Sequence, residues 1–420
     1  MILEAARLNT PDSAKIILAN AIRQVPQSIK IWIRAQELEI DVSAKKRVVR
    51  KAIEHIPNSI LLWKTAVSLE DDQENAKILL SRAVECIPTS IELWLALVRL
   101  ETYANGKKIL NKARTVLPTS HEIWITAAKL EEENSDQAKV DLIITRGTQQ
   151  LIAKGSKINR EQWIQEAEVC ESEGFIGVCK SIIQTSIGTG IELSLQKHTF
   201  IDDAEQCVLR KSIETARNIY SYLIQTFPEK KSVWRRAAFF EREHGTSRQL
   251  EEVLENAVTN CPNAEILWLM AAKDKWQSGN IPAAKIILER AFAANENSEQ
   301  IWLAAIKLEV ETGNIETART FLEQARIKAN TPRVWMKSVM LEWQTKSIAA
   351  AFQLVNTSLV SFPTFAKLWM IKGQMLTLES KDIPAARLNY SQALKYHPKN
   401  TILWILASRL EESSVFFRLI

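Results

Sequence analysis

Apolar positions along this chain recur in two interleaved helical patterns. In the first, a tryptophan is followed three residues on by alanine, six on by leucine and seven on by glutamate, as in Trp302-Leu-Ala-Ala-Ile-Lys-Leu-Glu309. At about 100° per residue, positions zero, three and seven share one face of an α-helix. The phrase runs from Trp32, Trp63, Trp94, Trp124, Trp234, Trp335 and Trp404, with weaker copies at Trp268 and Trp369. The second pattern follows each phrase and is read in Ala76, Leu79-Leu80 and Arg82-Ala83, and again in Ala284, Leu288 and Arg290-Ala291. Proline then stops that helix six residues before the next tryptophan, at Pro26, Pro57, Pro88, Pro118, Pro228, Pro262, Pro363 and Pro398. Ser28, Asn58 and Ser90, just beyond the proline, are suited to capping the helix that follows.

Tryptophans 30 to 35 residues apart over most of the chain mark stacked units. The predicted fold is all-α: a right-handed superhelical solenoid of antiparallel helix pairs, about 34 residues each, around one continuous core. Tryptophan supplies a broad apolar plate, and alanine lets a neighbouring helix approach closely. The glutamate two turns below is partly buried and requires a donor, expected from an Arg or Lys of a neighbouring helix.

The regularity divides the chain into a run over residues 1–146, an irregular stretch over 147–233 and a second run over 234–420. Ile2 stands where the first tryptophan would, so the chain reads as starting inside a repeat. Between Trp163 and Trp234, two periods apart, Phe200 is expected to fill the vacant anchor position. Gly147 to Gln162 reads as a helix end plus a loop, and Gly188-Thr-Gly190 as a loop. Neither GxGxxG nor a Walker pattern is completed there. Trp276 and Trp343 each lie eight residues after an anchor, so a structural role is expected for all thirteen tryptophans. The tail Val415-Phe-Phe-Arg-Leu-Ile420 is too short for the second helix its unit calls for and would expose apolar surface.

Composition narrows the function classes. A formal charge of +5 on 420 residues lacks the strongly basic footprint of a protein held mainly by nucleic-acid phosphates. Five cysteines form no CxxC pair, and no apolar run is long enough to span a membrane. Cys170, Cys179, His198 and Cys207 are of zinc-ligand type, but their spacings fit no usual site. Cys170 and Cys207 stand seven residues after an aromatic anchor, where other units carry glutamate, and read as packing thiols. The histidines are scattered over different repeats, and acidic pairs such as Asp71-Asp72 and Glu411-Glu412 belong to the repeat register or its loops. No catalytic, cofactor-binding or metal-binding residues are assigned. Two basic clusters remain: Lys45, Lys46, Arg47, Arg50 and Lys51, and Lys230, Lys231, Arg235 and Arg236. They read either as solvated faces and donors for the glutamates, or as contacts to RNA phosphate or an acidic partner.

The tryptophan–glutamate phrase resembles the half-a-TPR (HAT) repeats of RNA-processing proteins; ordinary TPR units lack that pair at this spacing. Longer phrases are similar to the HAT-repeat splicing factors of the spliceosomal tri-snRNP. They include Ala44-Lys-Lys-Arg-Val-Val-Arg-Lys-Ala52, Leu80-Ser-Arg-Ala-Val-Glu-Cys86, Ile158-Asn-Arg-Glu-Gln-Trp163 and Lys230-Lys-Ser-Val-Trp234. The resemblance implies a nuclear, non-catalytic scaffold that joins U-five and U-four/U-six snRNP proteins, with snRNA touched only locally. That family also has a region ahead of its repeats and further repeats beyond this span. An RNA-binding solenoid, or a scaffold of polyadenylation or ribosome biogenesis, would use the same repeat. A basic stripe running through successive units would favour RNA, whereas the linear sequence offers separated patches.

Overall fold

The computed structural model describes residues 2–134, 136–156, 159–188 and 192–416, with helices and no strands among them. The chain divides into two compact units, Met1–Gln225 and Thr226–Ile420. In the first, α1 (Ile2–Leu8) pairs with α2 (Pro11–Gln24), α3 (Ile29–Leu38) with α4 (Val42–His55), and α5 (Ile60–Ser68) with α6 (Gln73–Cys86). Next come α7 (Ile91–Leu100) with α8 (Tyr103–Val116) and α9 (His121–Glu133) with α10 (Gln137–Ala153). The last pairs are α11 (Arg160–Ser172) with α12 (Ile176–Ser186) and α13 (Leu193–Leu209) with α14 (Ile213–Thr226).

The second unit contains α15 (Lys231–His244) with α16 (Ser247–Asn260), α17 (Glu265–Gln277) with α18 (Ile281–Ala294), and α19 (Glu299–Glu311) with α20 (Ile315–Lys328). It continues with α21 (Pro332–Gln344) and α22 (Ile348–Ser361), α23 (Ala366–Leu378) and α24 (Ile383–Tyr396), and α25 (Thr401–Phe416). Odd-numbered helices carry the anchor phrase. In the regular runs of both units, each even-numbered helix packs against its own partner and against the odd-numbered helix that follows. This is the helix-pair solenoid expected from the repeat.

The even-numbered helices have a fixed inner face. Their eighth and eleventh residues point at the core, and so does the fourth except in α4, where it is half-buried Lys45; α6 shows the pattern with Ala76, Leu80 and Ala83, and α18 with Ala284, Leu288 and Ala291. In α10 the eleventh residue is Gly147, where a Cβ would stand 2.9 Å from the Trp124 ring. In α24 the eighth residue is Tyr390, and its ring occupies the space a side chain at Gly373 of α23 would need. The left-handed residue eleven after the anchor turns the chain between paired helices. Gly174, Gly279 and Gly313 serve there, and Lys211 and Lys346 take the same conformation at φ 68° and 62°.

Capping departs from the sequence expectation. The N-caps of α3, α5 and α7 are Ser28, Ser59 and Ser90, so Asn58 lies one residue too early. Of the three, only the Ser59 side chain accepts a backbone N–H. On even-numbered helices Asp41, Asp72, Asp136, Asn280 and Asp382 accept from the first turn, and on odd-numbered α19 and α21 Ser298 and Thr331 do so at 3.4 Å.

Proline also does more than end a helix. The indole Nε1–H of Trp32, Trp63, Trp94, Trp234, Trp268, Trp369 and Trp404 donates to the carbonyl of the proline six residues back, at 2.7–2.9 Å. Where proline is missing, Trp302 uses the Glu296 carbonyl and Trp335 the Asn330 side chain. The one polar atom of each of these anchors is thus satisfied. Phe200 needs no such partner and is fully buried, as its assignment to the vacant anchor position requires.

Trp404, on the last helix α25, is 56% exposed, with Ile402 and Ile405 exposed beside it. The tail's apolar side chains, Thr189 and Gly190 of the expected loop, and Ile158 of the third resemblance phrase lie outside the described residues.

Candidate docking surface

The buried glutamates come first, because they decide which cations are left for recognition. Glu70 receives Lys46 at 2.8 Å and Arg50 at 3.3 Å, Glu131 receives Lys107 at 2.6 Å, and Glu309 receives Lys285 at 2.7 Å. Lys15–Glu39 at 2.9 Å, Arg387–Glu411 at 2.6 Å and Arg319–Glu342 at 2.8 Å follow the same plan. In each, the fifth residue of an even-numbered helix reaches the glutamate of the next anchor phrase, 23 or 24 residues on. The bond therefore ties successive units together.

Burial raises the Glu309 carboxyl, but hydrogen bonds from Lys285, Asn314 and Thr317 outweigh it and the net shift is downward. At Glu70 the hydrogen bond from Lys46 dominates and also lowers it. Glu101 departs from this plan: Lys77 bonds Glu74 at 2.6 Å, and Glu101 accepts from Asn105.

Two junctions exchange the chemistry while keeping the position. Trp268 has Lys275 seven residues on, and the fifth residue of α16 is Glu251; the two meet at 2.5 Å with polarity reversed. After Trp369 the corresponding residues are Leu376 and Phe352, which both pack against the same apolar cluster. One chain thus contains the pair, its charge-swapped form and an apolar substitute.

Another device joins α9 to α12 and α11 to α14. Glu132 of α9 accepts from the backbone N–H of Gly177 and Val178 at 2.7 and 2.8 Å, at the start of α12. Glu171 of α11 accepts from Glu214 and Thr215 at the start of α14, at 2.9 and 2.8 Å. Each carboxylate meets orphan donors and the positive end of a helix dipole. Both lie eight residues after an anchor, a register the seven-residue phrase does not reveal.

Cys170, Cys179 and Cys207 are buried and His198 is exposed. Burial pushes the three thiols up to about 12, 11 and 12 respectively. Cys179 contacts Thr215 and Asn218, and Cys207 contacts Arg210, so the thiols are enclosed in packing. Among the described residues, no group of three or more His, Cys, Asp or Glu could hold a metal ion. No described helix is long and apolar enough to cross a membrane.

The basic clusters separate into two kinds. Lys46 and Arg50 are occupied by Glu70, whereas Arg47 and Lys51 extend into solvent. Lys230, Lys231 and Arg235 are exposed at the start of α15. Lys230 and Lys231 border a shallow recess that also includes Asn260 and Asn263. A second cleft, about 380 Å³, opens between α4 and α6, with Trp63, Ile53 and Leu79 within it and Arg50, Ile78 and Arg82 lining it. Arg114, Lys107 and Ile143 line a corresponding cleft over Trp124.

Pre-mRNA-processing factor 6 of Homo sapiens is 60% identical over 373 residues, 89% of this chain. Pre-mRNA-splicing factor prp1 of Schizosaccharomyces pombe is 49% identical over 416 residues, 99% of this chain. The chain is similar to these two splicing factors along most of its own length. It spans 40% and 46% of those two relatives, less than half of either. The family model for the PRP39 N-terminal HAT repeat matches residues 196–325, so the HAT reading of the phrase holds. Protein STABILIZED1 of Arabidopsis thaliana is 48% identical over 103 residues, 24% of this chain and 10% of its own length.

Proposed function

We propose that this HAT array is a non-catalytic protein-interaction scaffold of pre-mRNA splicing in the nucleus. In this reading it helps to bridge the U-five and U-four/U-six snRNPs in the tri-snRNP. The observation that carries the reading is the match to named splicing factors along 89% and 99% of the chain. The chemistry of the array supports it. Most phrase glutamates and their cations are spent on joining units, and the thiols of Cys170, Cys179, Cys207 and Cys261 are buried, so what remains is exposed surface repeated at regular intervals. Stacked helix pairs suit many weak contacts with extended partners. The guests are U-five and U-four/U-six snRNP proteins, and snRNA is touched only locally. The test is affinity purification of the full-length protein with mass spectrometry and RNA sequencing. Tri-snRNP components should co-purify, and residues 1–420 alone should bind snRNA weakly and with strong salt dependence. Co-purification with polyadenylation factors or pre-ribosomes instead would overturn the assignment, and tight, salt-resistant RNA binding would make the array an RNA-binding solenoid.

A further inference from the structure

The register of the even-numbered helices collects residues that are scattered in the sequence. Their eighth and eleventh residues face the core, so the sixth and tenth, displaced by two positions or about 200°, face solvent. At the tenth position, α4, α6, α8 and α10 carry Lys51, Arg82, Lys112 and Arg146, all exposed. One cation thus recurs in each of four consecutive pairs. The sixth position of the same helices alternates: Arg47, Ile78, Lys108 and Leu142, again all exposed. The sequence shows these as separate patches; the fold makes them one row of cations with aliphatic side chains between them.

The row ends with the first unit's regular run. In the second unit the tenth residues of α16, α18, α20, α22 and α24 are Asn256, Arg290, Gln324, Thr357 and Gln392. Their ninth residues include Glu255, Glu289 and Glu323, where the row has Arg50, Ser81, Asn111 and Thr145. Repeat geometry alone therefore does not produce the basic row.

We propose that this row is a docking track for an acidic protein segment with interspersed aliphatic residues. The reading rests on the scaffold function proposed above and names the chemistry of one partner. Charge complementarity selects an anion, and three features favour a protein over nucleic acid. Ile78 and Leu142 give a phosphate backbone nothing to bind, whereas a partner's leucine or isoleucine covers them. The cleft between α4 and α6 offers an aliphatic side chain the Trp63 face and Ile53, with exposed Arg82 placed for a flanking carboxylate. Neither the sixth nor the tenth position carries an aromatic side chain on which bases would stack.

The test uses the purified 420-residue chain and fluorescence anisotropy. The probe is a labelled peptide of Glu-Glu-Leu repeats; poly-glutamate, Lys-Lys-Leu repeats and an oligouridylate are compared with it. The Glu-Glu-Leu peptide should bind most tightly. Lys51→Glu/Arg82→Glu/Lys112→Glu/Arg146→Glu should weaken it by at least about tenfold, with reduced salt dependence. Ile78→Ser/Leu142→Ser should weaken it several-fold with the salt dependence retained, and Asn256→Glu/Gln324→Glu should leave it unchanged. If the fourfold reversal loses helicity by circular dichroism, Lys51→Gln/Lys112→Gln carries the same test with a smaller effect. Binding that survives loss of the cations would overturn the proposal. So would a preference for oligouridylate that the cation variants abolish and the Ser variants leave intact, since the row would then be a phosphate track. Either failure leaves co-purification with tri-snRNP components as a separate result, so the two readings fail distinguishably.

Discussion

The reversed pair at Glu251 and Lys275 makes the junction bond testable by imitation. Lys285 and Glu309 occupy the same two positions one unit later with the usual polarity. Glu309 is 5% exposed and also accepts from Asn314 at 3.0 Å and Thr317 at 3.1 Å, while the Lys285 side chain is 33% exposed. A fully buried pair costs about 3–5 kcal/mol to break and a surface pair below about 1. A pair with one enclosed and one half-open member belongs between them, at about 2 kcal/mol for Lys285→Glu or Glu309→Lys. The double exchange recreates the arrangement of Glu251 and Lys275 and should recover about half or more of that loss, a coupling of about 3 kcal/mol. Repeat arrays unfold locally, so hydrogen exchange at the amides of α18 and α19 is the proper readout, with urea unfolding beside it. If the double variant is no more stable than the worse single one, charge complementarity is not what these positions supply. The alternative is then the hydrogen bonds from Asn314 and Thr317 to the glutamate itself.

Four further outcomes follow from the packing. Gly373→Ala would push a methyl into the Tyr390 ring and should cost about 1–3 kcal/mol; adding Tyr390→Leu, which restores the usual eighth residue, should relieve most of it in a double-mutant cycle. Trp94→Phe should destabilise by about 1–3 kcal/mol, because the Pro88 carbonyl loses its donor, and Trp404→Phe, at an exposed ring, by clearly less in matched thermal melts. Glu70 and Glu309 titrate below their ordinary 4.5, so their contribution is present above that pH and fades as pH falls through the lower folded-state values; acid unfolding followed from pH 6 to 3 should begin earlier for Lys46→Met, which removes the Glu70 donor. Under native conditions a thiol reagent should modify exposed Cys86 rapidly and Cys170, Cys179 and Cys207 only on unfolding, read by mass spectrometry of the labelled peptides.

Much of this protein was legible from periodicity, since a repeat states its own register many times. The anchors, the paired helices, the need of the phrase glutamates for cations and the substitution of Phe200 all follow from apolar spacing and from the cost of burying a carboxylate unpaired. Even Lys346 could be anticipated, because it aligns with Gly313 in the turn eleven residues after the anchor. Other features depend on which distant residues the stacking brings together, and there linear spacing is silent. The charge-reversed Lys275 looked like a departure from the phrase, and only its contact with Glu251 shows the same bond running the other way. Nothing in the phrase marks Glu132 and Glu171; the fold sets the helix starts of α12 and α14 against them, some 43 to 46 residues on. The basic row is the largest gain. Lys51, Arg82, Lys112 and Arg146 lie about thirty residues apart in the sequence, among many other charges. Local sequence sets which face of each helix is apolar, but the even-numbered helices' inner face had to be located before the outward residues of successive units could be aligned.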